Sequence, residues 1–116
     1  MLNIEFHNPK VKKIFENDDK LIKKVGVELS RKIKERMNQM MSSPNFKAYL
    51  DYGIGKPHPL TGDLDNLYGI FLNKNIRLII EPLVEKRDIE SLMMCKNVNI
   101  KGVVDYHGSK KEWLIP

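Results

Sequence analysis

Between Lys20 and Met41 the apolar residues Ile22, Val25, Leu29, Ile33, Met37 and Met40 recur every three or four positions. That is the period of one helix face, so the stretch predicts a long amphipathic helix with Lys and Arg on its outer side. An apolar stripe this long must be covered, which obliges the rest of the chain to supply a second layer. Gly26 lies inside the stretch. One Gly costs a helix only ~1 kcal/mol relative to Ala, so the helix is expected to run through it. Ser42-Ser43-Pro44 ends it.

The covering layer reads as a small sheet. Leu2-Asn3-Ile4-Glu5-Phe6 alternates apolar and polar residues, as a half-buried strand does. Asn8-Pro9 offers a cap and first residue for a short helix through Val11, Ile14 and Phe15, which Asn17-Asp18-Asp19 breaks. Phe46 to Leu50 adds a helical turn, and residues 53–66, rich in Gly, Pro and Asp, read as an irregular loop. Tyr68–Leu72 and Ile76–Glu81 are strands around an Asn73-Lys74-Asn75 turn, with Pro82 limiting the second. Asp88 caps one helical turn in a polar stretch. Val98–Tyr106 is expected as the last strand, followed by a tail that is basic and then apolar at Trp113-Leu114-Ile115. The order β, α, α, then three β gives an α+β fold, and 116 residues make one domain spanning 1–116. The helices should cover one side of the sheet and leave the other side, or its edge, for function.

Several classes of function fall away. No stretch approaches the 18 apolar residues of a membrane span, so no membrane partner is expected. The first residues carry no apolar signal region, and the single Cys95 cannot form an intrachain disulfide; both point to a cytoplasmic protein. There is no H-E-x-x-H, Cys-x-x-Cys or EF-hand loop, so no metal or other cofactor is implied. Gly53-x-Gly55-Lys56 lacks the spacing of a phosphate loop. Charge is more informative: 20 Lys and Arg against 15 Asp and Glu give +5. Residues 1–41 hold ten basic and six acidic side chains, so most of the excess lies there. Such a domain attracts nucleic acid or another polyanion, although a Lys-rich helix face also serves simply as solvated surface.

Chemistry concentrates in the C-terminal half. Period two places Asp105 and His107 on one side of their strand, where the carboxylate can orient the ring, and places Tyr106 on the other. Arg77 sits mid-strand among apolar neighbours. A guanidinium there must either pair with a carboxylate, Glu81 or Asp105, or face an anion. The loop adds His58 and Lys56. Together they are candidates for a general acid, a general base and a phosphate clamp, the parts required to cut RNA without a metal. His58 between two prolines also reads as a plain exposed loop residue, and Asp105-Tyr106-His107 as a plain strand end.

Together, His58-Pro59-Leu60-x-Gly62-Asp63, Tyr68-x-Ile70, Ile76-Arg77-Leu78-Ile79-Ile80-Glu81-Pro82 and Val103-Val104-Asp105-Tyr106-His107-Gly108 resemble the HigB-type plasmid maintenance killer proteins of the RelE/ParE toxin superfamily. The resemblance covers nearly the whole chain. It implies a RelE-like, microbial-RNase-like fold with a small curved antiparallel sheet. It also implies the toxin of a type II toxin-antitoxin system, a ribosome-dependent mRNA endoribonuclease that inhibits translation. The implied partners are the 70S ribosome with its mRNA and a HigA-like helix-turn-helix antitoxin, through which alone operator DNA is contacted. The implied catalytic residues are His58, Arg77, Asp105, Tyr106 and His107, with acid and base unassigned between the histidines. Lys56, Lys74 and Lys101 are the expected RNA contacts, and the long-helix lysines are expected on ribosomal RNA. Many relatives carry Lys at the position of Thr61 and basic residues at Leu64 and Asp65, so this loop is less cationic. Two other readings share the fold: a ParE-like toxin that binds gyrase without catalysis, and a catalytically silent partner protein.

Overall fold

The computed structural model describes residues 1–116. Four of its five helices start on an Asn or Asp whose side chain accepts a backbone N–H of the first turn. These are α1 (Pro9–Phe15) on Asn8, α2 (Asp18–Val25) on Asn17, α4 (Phe46–Tyr52) on Asn45 and α5 (Ile89–Met94) on Asp88. A cap of this kind contributes ~1 kcal/mol. The Ser91 N–H donated to Asp88 holds that carboxyl below its usual range.

The exception is α3 (Val27–Met41), which starts on Gly26 with no side-chain cap. The single long helix expected over Lys20–Met41 is therefore two helices. Gly26 takes φ +89°, a conformation that a side chain disfavours, and the chain turns there. The turn re-aims α2: Leu21 is fully buried, whereas Ile22, expected in the stripe, is 37% exposed. Arg36, expected on the outer basic face, is buried. Its Nε donates to the Phe71 carbonyl at 3.2 Å and its Nη1 to Gln39 Oε1 at 3.3 Å.

The strands are β1 (Asn3–Phe6), β2 (His58–Pro59), β3 (Tyr68–Phe71), β4 (Ile76–Pro82), β5 (Asn97–His107) and β6 (Lys110–Ile115). They form one sheet in the order β1-β5-β4-β3-β2, with β6 beside the second half of β5. Pairing is antiparallel except for β1, which runs parallel to the first half of β5. Two expectations need correction. The strand after residue 97 is not the last, because the tail returns as β6. The loop over residues 53–66 is not wholly irregular, because it contains β2 and a 3-10 turn at Gly62–Leu64.

One face of the sheet carries the main core. Leu78, Ile80, Ile100, Val103 and Ile115 pack with Val11, Ile33, Met40 and Phe46 from the helices. Ile79, Val104 and Leu64 are also buried but lie outside that cluster, on the second face. Burying an aliphatic side chain contributes ~1.5–3 kcal/mol, so Leu64 helps anchor its loop. No helix is long and apolar enough to cross a membrane.

Candidate active site

Register decides which side chains meet. Arg77 pairs with Val104 and Phe71, His58 pairs with Gly69, and Gly69 pairs with Ile79. Residues opposite one another share a face, and alternate residues share it too. His58, Phe71, Arg77, Val104 and Tyr106 therefore stand on the second face, away from the helices. His58, Arg77 and Tyr106 line one open cavity of about 330 Å³, closed at the sides by Leu60, Leu64 and Lys111.

Arg77 forms no ion pair with Glu81 or Asp105; its partners are backbone carbonyls and an aromatic ring. Its Nη1 donates to the Asn73 carbonyl at 2.8 Å, with the Ile76 and Lys74 carbonyls at 3.2 and 3.4 Å. Its Cζ lies 4.8 Å from the centre of the Phe71 ring. The guanidinium is gripped from behind by the turn and stacked on an aromatic face, while Nε and Nη2 carry no protein hydrogen bond. The same turn fixes its neighbour, because the Tyr106 N–H donates to the Asn75 carbonyl at 2.8 Å. Asn73 Oδ1 in turn accepts the N–H groups of Asn75 and Ile76, both at 2.9 Å.

His58 is exposed, with Nδ1 2.9 Å from the Lys56 carbonyl. A carbonyl only accepts, so Nδ1 carries the proton and, in the neutral ring, Nε2 presents a lone pair. That is the tautomer of a general base. Lys56 contributes through its backbone and does not line the cavity.

Asp105 and His107 are close together, as expected, with His107 Nε2 3.1 Å from Asp105 Oδ2 and 4.0 Å from Glu112 Oε2. They do not join the cavity. Alternation puts them on the face opposite Tyr106 and Arg77, at the end of β5. Asp105 Oδ1 is buried without a partner. Lys74 lies in the turn, and Lys101 lies in a second cavity further along β5. The five expected catalytic residues thus separate into His58, Arg77 and Tyr106 on one face and Asp105 and His107 on the other.

One lining residue, Lys111, was not singled out by sequence reasoning. Lys111, on β6 opposite Tyr106, forms an ion pair with Asp63 of the loop across the cavity. That hydrogen bond from Lys111 holds the Asp63 carboxyl below its usual range. The signal for Lys111 was its alternation with Trp113, a strand period in a tail to which no element had been assigned. No group of His, Cys, Asp and Glu side chains is arranged to hold a metal ion.

No protein-family model matches the chain, and no curated protein sequence matches it significantly. Solved structures do. A YoeB–YefM complex from Staphylococcus aureus superposes with a TM-score of 0.55 at 22% identity, over 92% of this chain and 98% of that one. A YoeB dimer from the same organism gives 0.53 at 22% identity, over 91% and 97%. A YoeB/ParE toxin from Agrobacterium tumefaciens gives 0.54 at 14% identity, over 91% and 99%. Almost the entire chain therefore shares one architecture with these proteins, and its fold is that of the YoeB and ParE toxins.

Proposed function

We propose that the protein is the toxin of a toxin-antitoxin system, and that it inhibits translation by cutting mRNA on the ribosome as a metal-independent endoribonuclease. One observation carries the reading: Arg77 presents two unpaired nitrogens into a cavity that also holds a base-tautomer His58 and Tyr106. The shared fold with a protein solved as a toxin-antitoxin complex supports the partner, an antitoxin. The HigB type and a helix-turn-helix antitoxin rest on the sequence resemblance.

The reaction fits the cavity as follows. His58 Nε2 takes the proton of a ribose 2′-OH as its oxygen bonds to the adjacent phosphorus. The bond from phosphorus to the 5′-oxygen breaks, and the leaving oxygen takes a proton from the Tyr106 hydroxyl. The products are a 2′,3′-cyclic phosphate and a 5′-hydroxyl. Arg77 receives the growing charge on the non-bridging oxygens with its planar donors. Asp105 and His107 hold the end of β5 and thereby set the position of Tyr106 between them.

The test is primer extension on a translated mRNA with 70S ribosomes. His58→Gln is expected to lower cleavage 10²–10⁴-fold, as loss of a general base does, and Arg77→Lys to lower it strongly while the protein stays folded. His107→Gln is expected to lose far less than His58→Gln. With Mg²⁺ kept at the level the 70S ribosome itself needs, added Zn²⁺ or Mn²⁺ is expected to have no effect on cleavage. Intact mRNA with wild-type protein, together with inhibited supercoiling by purified gyrase, would replace this reading with the ParE-like one.

A further inference from the structure

Two irregularities in the sheet aim at one place. Between β4 and β5 the register slips, so that Ile79 pairs with Gly102 and Ile80 with Ile100, leaving Lys101 as the extra residue. Between β5 and β6 it slips again, so that Val103 pairs with Ile115 and Val104 with Trp113, leaving Leu114 extra. A bulge redirects side chains and is a recurrent feature beside functional sites. Here the outcome is a cavity of about 220 Å³ lined by His7, Lys101, Trp113 and Pro116. Lys101 Nζ lies 3.1 Å from His7 Nδ1. The ammonium can only donate, so the neutral His7 ring carries its proton on Nε2 and offers a second donor.

Trp113 stands on the same face as the candidate active site. It pairs with Val104, whereas Lys111 pairs with Tyr106, so Trp113 is two residues along β6 from the active-site wall. Two strand residues span ~7 Å, about one nucleotide step of an extended strand. Its ring also packs against Gly102, which pairs with Ile79 of that face.

We infer that Trp113, Lys101 and His7 form a second subsite, which binds a nucleotide of the single-stranded RNA flanking the one cut at the active site. This rests on the ribonuclease reading. An aromatic plane beside two donors is the chemistry that holds a base and its phosphate without reading sequence. Lys101 meets the phosphate, and the indole stacks on the base. Of the four lining residues Lys101 is a cation and none has an acidic side chain, so the cavity favours an anionic partner.

Trp113 is the only tryptophan, so its fluorescence reports this subsite directly. The probe is a 2′-O-methylated tetranucleotide, which cannot be cleaved. Its addition is expected to quench the wild-type emission in a saturable way. Lys101→Met should weaken binding severalfold. Trp113→Leu, followed by anisotropy of labelled RNA, should weaken it roughly tenfold or more, with Trp113→Phe restoring most of the affinity. Arg77→Ala should lower affinity yet leave the quench amplitude at saturation unchanged.

The outcomes separate the two proposals. Binding that depends on Arg77 but never perturbs Trp113 overturns the second subsite and leaves the ribonuclease standing. Quenching with normal Lys101 and Trp113 dependence, but no mRNA cleavage, overturns the catalytic reading and keeps an RNA-binding face. Quenching by a polyglutamate peptide and not by RNA makes the patch a protein-docking surface and overturns the inference.

Discussion

Single side chains on the two faces of the sheet are under different constraints. Tyr49 on α4 is almost fully buried beside Phe46, and its hydroxyl has no hydrogen-bond partner. Burial pushes its ionisation up from 10.0 to about 12. A buried, unpaired hydroxyl loses its water without gaining a bond, so Tyr49→Phe is expected to stabilise the protein by about 1 kcal/mol in urea unfolding. The pH dependence has a definite sign. The folded value lies above the unfolded one, so the contribution is complete below pH 10 and is lost as pH rises from 10 towards 12. Tyr49→Phe should flatten that alkaline decline. Arg77 differs: its Nη1 is held by the carbonyls of the turn and its guanidinium lies over Phe71, while Nε and Nη2 carry no protein hydrogen bond. Its position mid-strand already narrowed it to an ion pair or an anion site. That carbonyls of the Asn73–Asn75 turn, and not a carboxylate, receive it is something no residue pattern reveals.

At the level of elements, glycines explain both what the sequence showed and what it hid. The apolar stripe through Lys20–Met41 was legible because α2 and α3 each bury one face, but the joint at Gly26 was not. An unbroken helix and a broken one share nearly the same apolar spacing, and only the tertiary packing of Leu21 separates them. The last strand was hidden for a related reason. A Cβ on Gly102 would lie 1.9 Å from the Ile115 carbonyl oxygen, so β6 can dock only because β5 has no side chain there. A reading confined to local alternation saw a glycine in a strand and a short tail, without the close approach that connects them. Gly102→Ala is therefore expected to displace β6, destabilising the protein by roughly 3 kcal/mol. It should also shift Trp113 emission to the red as the indole is uncovered. Unchanged emission and melting temperature would mean that β6 is not held at Gly102. The same docking explains why Lys111 was missed and why Tyr106, set apart from Asp105 and His107 by simple alternation, is the member of that triplet in the cavity.

Across the whole molecule, the charge and the candidate sites lie on different layers. Most of the positive excess is carried by residues 1–41, yet Arg77, Lys111 and Lys101 are the cations that line the cavities on the second face of the sheet. The exposed Lys23 and Lys24 belong to α2, in the helical layer. Binding to single-stranded RNA releases counterions in proportion to the phosphates neutralised, with a slope of about −0.7 per phosphate in log K against log salt. Three cations on the second face predict a slope near −2 for a short, uncleavable RNA. Lys101→Met and Lys111→Met should each make it shallower by about 0.7, whereas Lys23→Gln with Lys24→Gln should leave it unchanged. Lys111 begins paired to Asp63, so Asp63→Asn should tighten binding without altering the slope, because the phosphate then meets a cation with no competitor. On intact 70S ribosomes the same Lys23 and Lys24 changes should weaken association, since a helix face too distant for the cleaved strand is well placed for ribosomal RNA. A slope for the short RNA that depends on the helical lysines as strongly as on Lys101 would move the RNA path off the sheet and onto the helices.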